Sequence, residues 1–265
     1  MNPFGHLTGR LYGLSLFSKI LVLVYFILCA IWFYRIFRYY QELLSIHVFI
    51  SLVLFVFTCS TAMTSYKLSS FNLEGIAYSF ITTCSIIMNT LARTLIRCLL
   101  LLISKGLGIS IPSLGSSFWL VLLFCICYFL NAVGYEYSLE QPSVVFTTIP
   151  STNVFSYTSV LIDALFYSWI IRNLFSTIDD LHKKKQTSKL QIFLTLRNLL
   201  LLLVCIVTVY NVVFSYLVSE QIVQNRWKWQ WFFTEGVWSC LYLVVIVSIL
   251  VSLLLLFLFV VFVGS

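Results

Sequence analysis

From Phe232 to Val263 the chain carries one charged side chain, Glu235, and no proline. A stretch of ~20 mostly apolar residues is enough to cross a bilayer as a helix, and no water-soluble fold has a surface that could hide one this long. Six further stretches of the same kind precede it: Leu11–Tyr34, Ile46–Tyr66, Gly75–Ile103, Phe118–Tyr135, Tyr157–Phe175 and Ile192–Val218. Polar breaks separate them, the longest running from Glu136 to Ser156 with Pro142 and Pro150. The pattern predicts an all-α membrane protein, a seven-transmembrane helix bundle forming a single domain over residues 1–265.

Composition removes the alternatives. Of 265 residues, 61% are hydrophobic and 9% charged, with a mean hydropathy of +1.01, whereas soluble domains have about 25% charged residues. A transmembrane β-barrel would show ~10-residue alternating segments, and runs such as Ile249 to Val263 do not alternate. The net charge of +7 is spread between apolar spans and is not gathered on one soluble face, so no nucleic-acid partner is expected. The alternating Arg226-Trp227-Lys228-Trp229-Gln230-Trp231 reads, beside a span, as an interfacial aromatic anchor.

Lys and Arg are distributed unevenly about the spans. One side takes Arg35, Arg38, Arg93, Arg97, Lys105, Arg172, Lys183, Lys184, Lys185, Lys189 and Arg197; the other takes Arg10, Lys67, Arg226 and Lys228. The positive-inside bias then predicts an N-terminus in the lumen or outside the cell and a C-terminus in the cytosol. Lys183, Lys184 and Lys185 form a cytosolic basic loop, read as a topology determinant or as a site for anionic lipid or a coat protein. The opening Met1-Asn2-Pro3 lacks the basic start and small-residue cleavage site of a secretory signal, so the first span is expected to insert itself.

The cysteines all lie in apolar segments, where a thiol behaves as a small hydrophobe, and a disulfide framework is not expected. Cys125-x-Cys127 has neither the zinc spacing nor a histidine nearby, so no metal is expected. The last span has no lysine for a retinal Schiff base, and the third span ends in Leu91-Ala92-Arg93-Thr94-Leu95-Ile96-Arg97 without the acidic-Arg pair of rhodopsin-like receptors. Intramembrane hydrolysis needs groups that activate water inside lipid. His6, His47 and His182 fall outside or at the edges of spans, and of the aspartates only Asp163 lies within one. No enzyme is expected, and no cofactor beyond a bound phospholipid.

In order along the chain, Leu91-Ala92-Arg93-Thr94-Leu95, then Ser104-Lys105-Gly106-Leu107-Gly108-Ile109, then Pro112-Ser113-Leu114-Gly115 resemble the Leu-Ala-Arg-Thr-Leu, Gly-x-Gly-Ile and Pro-x-Leu-Gly signature of the GOLD-domain seven-transmembrane family, also called lung seven-transmembrane receptors. Leu161-Ile162-Asp163-Ala164-Leu165 with Trp169, and Leu190 to Asn198 after the Lys-rich loop, are similar to the family's fifth and sixth helices; Trp227-Lys228-Trp229 leading to Glu235 and Trp238 is similar to its approach to helix seven. The likeness runs from about Pro3 to Leu254 and covers the transmembrane part, without the family's lumenal β-sandwich and cytosolic tail. It implies a multi-pass protein of Golgi and endosomal membranes, or of the plasma membrane, linked to vesicle-mediated trafficking. It further implies a lipid-accessible cavity and membrane lipids, trafficking cargo or coat proteins as partners. The family's molecular activity is divided among transport adaptor, orphan receptor and channel.

An ionisable group inside a span is costly unless paired or hydrated, which makes each one a functional candidate. Lys19 and Asp163 stand at depths of about 12 and 9 Å from the lumenal side at 1.5 Å per residue, and are expected to pair, with Lys19 otherwise snorkelling along its own stem, or to line a lumen-facing cavity among helices one, three, five and seven. Glu74, Glu136 and Glu235, at the lumenal ends of helices three, four and seven, either rim that cavity or are simply solvated. Arg93 and Arg97, four residues apart, share one face of helix three. They suit a lipid phosphate, which Arg grips bidentately, or else snorkel from a helix end and hydrogen-bond neighbouring carbonyls.

Overall fold

The computed structural model describes residues 5–38, 45–107, 117–140, 151–183, 187–219 and 227–264. Seven helices of 24 to 33 residues follow one another: α1 (Gly9–Arg38), α2 (Ser45–Glu74), α3 (Ser79–Ser104), α4 (Ser117–Glu140), α5 (Ser151–Lys183), α6 (Thr187–Ser219) and α7 (Val237–Gly264). At 1.5 Å per residue the shortest is about 36 Å long, enough for the ~30 Å hydrocarbon core. Six of them, α1 to α4, α6 and α7, are apolar enough to cross a membrane on composition alone. The exception, α5, carries Asp163, Arg172 and Asn173 among its serines and threonines.

Glycine sets where two of these helices stop. Gly75, at φ 72°, closes α2 with its amide on the Phe71 carbonyl at 3.0 Å. This corrects two expectations: α2 continues two turns beyond Tyr66, and Glu74 is its last residue, on the α2 side of the turn and not on α3. Gly106, at φ 78°, ends α3 in a Schellman motif, its amide on the Ile103 carbonyl (2.8 Å) and that of Leu107 on the Leu102 carbonyl (3.2 Å). A left-handed conformation costs any residue with a Cβ about 1–2 kcal/mol. Gly106→Ala is therefore expected to destabilise the protein by about 1 kcal/mol, read as a lower midpoint in thermal unfolding in detergent.

Contacts gather in two compact units, residues 18–173 and residues 1–17 with 174–265. In the first, α1 presents Ser18, Leu21, Tyr25, Cys29 and Trp32, spaced three and four apart and buried. Tyr25 stacks on Phe57 of α2 (ring centroids 5.6 Å), and the Trp32 indole donates to Ser51 Oγ at 3.0 Å. Helix α3 packs against both α2 and α4. Phe124 and Tyr128 of α4 meet Phe166 of α5 at 4.6 and 5.7 Å. In the second unit, α6 packs on α7 through Tyr210, edge-on to Trp238 at 5.8 Å. One π-type turn, Phe232–Gly236, leads into α7. Such a turn disturbs the regular bonding of the backbone, and the Tyr210 hydroxyl donates to the Phe233 carbonyl within it.

Candidate functional site: a charged stripe on helix three

Ser85, Asn89, Arg93 and Arg97 recur every fourth residue of α3, and this spacing puts all four on one face. Inside a membrane each needs a partner, because hydrocarbon offers none. The upper two find theirs on α2: Asn89 Nδ2 donates to Thr64 Oγ1 at 3.1 Å, the Ser60 hydroxyl donates to Asn89 Oδ1, and Thr64 and Ser85 hydroxyls lie 3.4 Å apart.

The two arginines reach carboxylates on two different helices. Arg93 Nη1 stands 2.7 Å from Glu136 Oε1 of α4, and Arg97 Nε stands 2.9 Å from Asp163 Oδ1 of α5, with Nη2 donating to Oδ2 at 3.4 Å. Arg97 also donates through Nη1 to the Arg93 carbonyl (3.1 Å) and lies over the Tyr128 ring, 4.6 Å from its centroid. Helix α3 is thus tied on adjacent turns to α4 and α5. The pairs differ in depth within the protein: the Arg97 side chain is 8% exposed, that of Arg93 38%. Further along α4 and α5, Thr158 donates to Asn131 Oδ1 at 2.7 Å, while Asn131 Nδ2 is buried without a partner among the described residues.

The expected pairing of Lys19 with Asp163 is corrected by this geometry. Asp163 is held by Arg97, and Lys19 lies off the buried stripe of α1, on its exposed face with Leu16, Ile20 and Leu23. Arg93 and Arg97 do not snorkel from the helix end, although the expected hydrogen bond to a neighbouring carbonyl is present, from Arg97 to Arg93. They sit well inside α3 and are neutralised there. Glu74 is exposed beyond the stripe, where it accepts a hydrogen bond from the Tyr78 hydroxyl; that bond and the carboxylate's charge push the phenol above its ordinary range. Just past the other end of α3, Lys105 lies 5.2 Å from the Trp169 ring centroid, and burial pushes its ammonium below the usual lysine range. Glu235 is exposed in the π-type turn of the other unit. Lys183 is exposed at the end of α5, whereas Lys184 and Lys185 lie outside the described residues. Among the described residues no three of His, Cys, Asp and Glu converge closely enough to hold a metal ion.

Sequence reasoning found the two arginines and both of their carboxylates but not the polar groups around them, Ser60, Thr64, Asn89, Tyr128 and Asn131. The four-residue spacing from Ser85 to Arg97 was the available signal. Ser60 and Thr64 of α2 are likewise four apart, but they stand among other serines and threonines of that helix that face elsewhere, so their spacing alone does not single them out.

The chain matches the family model described as GOST, seven transmembrane domain, over residues 14–254. It is 23% identical over 258 residues to Transmembrane protein 87B of Mus musculus and 23% identical over 253 residues to Transmembrane protein 87A of Homo sapiens, in both cases covering 94% of this chain and 44% of the relative. An uncharacterized protein of Schizosaccharomyces pombe is 25% identical over 270 residues, covering 94% of this chain and 50% of the relative. The chain therefore spans about half the length, or less, of the curated relatives it matches. An integral multi-pass membrane protein of seven transmembrane helices, it belongs to the GOST family.

Proposed function

We propose that the chain is the membrane core of a non-enzymatic protein of Golgi and endosomal membranes, lumenal at its N-terminus, which serves vesicle-mediated trafficking by holding a phospholipid or the lipid part of a cargo against the α3 stripe. The compartment and the trafficking role rest on the family resemblance. The lipid role rests on one observation: the Arg93–Glu136 pair lies within the spanning helices and yet leaves the two side chains 38% and 27% exposed. A half-open ion pair facing acyl chains would keep the desolvation cost of both charges. Facing water or a headgroup, it does not. Glu136 then acts as a placeholder for the anion. A phosphodiester displaces it from Arg93, which can grip two phosphate oxygens at once, while the deeper Arg97–Asp163 pair stays closed and forms the floor.

The test is the lipid that travels with the protein. Wild-type protein purified from membranes should carry a phospholipid species enriched over the bulk membrane, detected by mass spectrometry, and Arg93→Leu with Glu136→Leu should lose it. Removing both charges leaves neither stranded, so the double variant should remain folded. An identical lipid profile in the two proteins would sink the proposal.

The continuity of the stripe supports a second reading, an ion channel or ligand-gated receptor. Ser85 to Arg97 extends for about 18 Å along α3, a polar track over much of the hydrocarbon core. Unitary currents from the pure protein in planar bilayers, lost in Asp163→Asn, would favour conduction over lipid holding.

A further inference from the structure

Lys105, Trp169 and Asn173 stand at one level of the bundle, at the membrane face where α3 ends. Helices α3 and α5 run in the same direction, because Arg97 meets Asp163 and, further along both, Lys105 Nζ lies 5.2 Å from the Trp169 ring centroid. Counted from the Arg97–Asp163 pair at 1.5 Å per residue, Lys105 is about 12 Å on, between Trp169 at about 9 Å and Asn173 at about 15 Å. Trp169 and Asn173 are four apart and share a face of α5, bordered by exposed Arg172. Phe124 of α4 meets the Trp169 ring edge-on at 5.7 Å and holds the indole in place. The spanning part of α3 closes at Ser104, so hydrocarbon gives way to headgroups at this level.

The place is marked by donors without acceptors. Asn173 Nδ2 is buried with no hydrogen-bond partner among the described residues. Among the same residues no acceptor meets the Trp169 indole N–H or the half-buried Lys105 ammonium, and no carboxylate meets Lys105 or Arg172. A lysine and a tryptophan at a membrane interface can be a simple anchor. An anchor does not need a buried amide beside it, which costs stability unless something accepts its hydrogen bond.

We propose that Lys105, Trp169 and Asn173, with Arg172 at the rim, bind the phosphate of an anionic phospholipid in the leaflet where α3 ends. A phosphomonoester headgroup brings three acceptor oxygens and close to two negative charges. Two cations and two neutral N–H donors match it, and basic pockets between spanning helices are the usual form of such sites. A lipid supplies this anion at the right depth. Leu165 and then Leu161 lead from Trp169 back along α5, both exposed and apolar, as a track on which an acyl chain lies. The site is about 18 Å along α3 from Arg93 and does not depend on what Arg93 binds.

The experiment uses the whole chain, stripped of lipid in a neutral detergent and titrated with dioleoyl phosphatidic acid, with phosphatidylcholine of the same acyl chains, and with inorganic phosphate. Binding is read from native mass spectra and from the unfolding midpoint. Phosphatidic acid should bind in preference to phosphatidylcholine and raise the midpoint. Lys105→Gln should weaken it at least about tenfold, the scale of one charge-assisted contact. Asn173→Leu changes no charge and removes the unanswered amide, so the lipid-free protein should be no less stable while its lipid affinity falls several-fold. Lys183→Gln, at the exposed end of α5, is the comparator for diffuse attraction. The titration is repeated in Arg93→Leu with Glu136→Leu, where a lipid at the α3 stripe is gone and this one should remain. The proposal is overturned if phosphatidylcholine binds as tightly, if inorganic phosphate protects as well as the lipid, or if Lys183→Gln weakens binding as much as Lys105→Gln. It is equally overturned if Asn173→Leu binds like wild type, or if the Arg93 and Glu136 double variant no longer binds.

Discussion

Leucine at Asp163 is expected to lower stability in detergent by about 3–5 kcal/mol, the usual cost of stranding one member of a buried ion pair. The remaining charge is Arg97, whose side chain is 8% exposed and whose other neighbours include a tyrosine ring and a backbone carbonyl. A guanidinium cannot shed its proton to escape. Arg97→Leu should cost less, because the Asp163 side chain left behind is 29% exposed, against 8% for Arg97. Combining the two changes should restore much of the loss, with a coupling energy of about 0.5–3 kcal/mol between them. Lys19→Met, on the exposed face of α1, is expected to stay within about 0.5 kcal/mol of wild type. Thermal unfolding of the four proteins decides the matter. Additive losses would show that Arg97 and Asp163 act separately, and a large effect at Lys19 would return it to the site.

The contrast between Lys19 and Arg97 shows what a membrane sequence discloses. Spans were legible because hydrocarbon demands long apolar runs, and the depth of a residue follows from counting inward from a loop. Counting put Lys19 and Asp163 inside spans, and both stand well within their helices, α1 and α5. What decides a partner is the rotation of each helix about its axis. For α1 that rotation is hidden, since Leu16, Ile20 and Leu23 on its outer face are as apolar as Leu21 and Tyr25 on its inner one. Lipid is as apolar as the protein interior, so no hydrophobic stripe separates the two faces. Helix α3 is different: Ser85, Asn89, Arg93 and Arg97 print the inner face in polar letters.

Boundaries failed for a related reason. Lys67 ended the second stretch on hydropathy, but a long flexible side chain at a membrane edge does not end a helix. The left-handed Gly75 does so two turns later. The polarity of α5 likewise makes sense only in three dimensions, since Asp163 is tolerated there because α3 supplies Arg97.

Alanine at Gly13 should be the second costly change, in the other unit, and its sign is set by a contest of magnitudes. Gly13 lies within α1, where alanine is the better helix former by about 1 kcal/mol, so propensity alone predicts stabilisation. Against this, a Cβ at Gly13 would fall 2.2 Å from Trp231 Nε1 and 2.5 Å from its Cε2. The indole has little freedom to retreat: its ring stands 5.3 Å from Phe17 on one side and 5.8 Å from Phe232 on the other, and Phe232 itself presses on Gly236, where an added Cβ would meet Cδ2 at 2.8 Å. Moving Trp231 therefore disturbs the π-type turn that leads into α7. Overpacking of this kind costs about 1–3 kcal/mol, which outweighs the propensity gain at all but the low end. Gly13→Ala is thus expected to unfold at lower temperature than wild type. If the clash is the cause, the penalty must depend on the indole: in a Trp231→Leu background the shorter side chain can turn aside, and Gly13→Ala should become neutral or stabilising. A penalty of equal size in both backgrounds would place its origin elsewhere on α1.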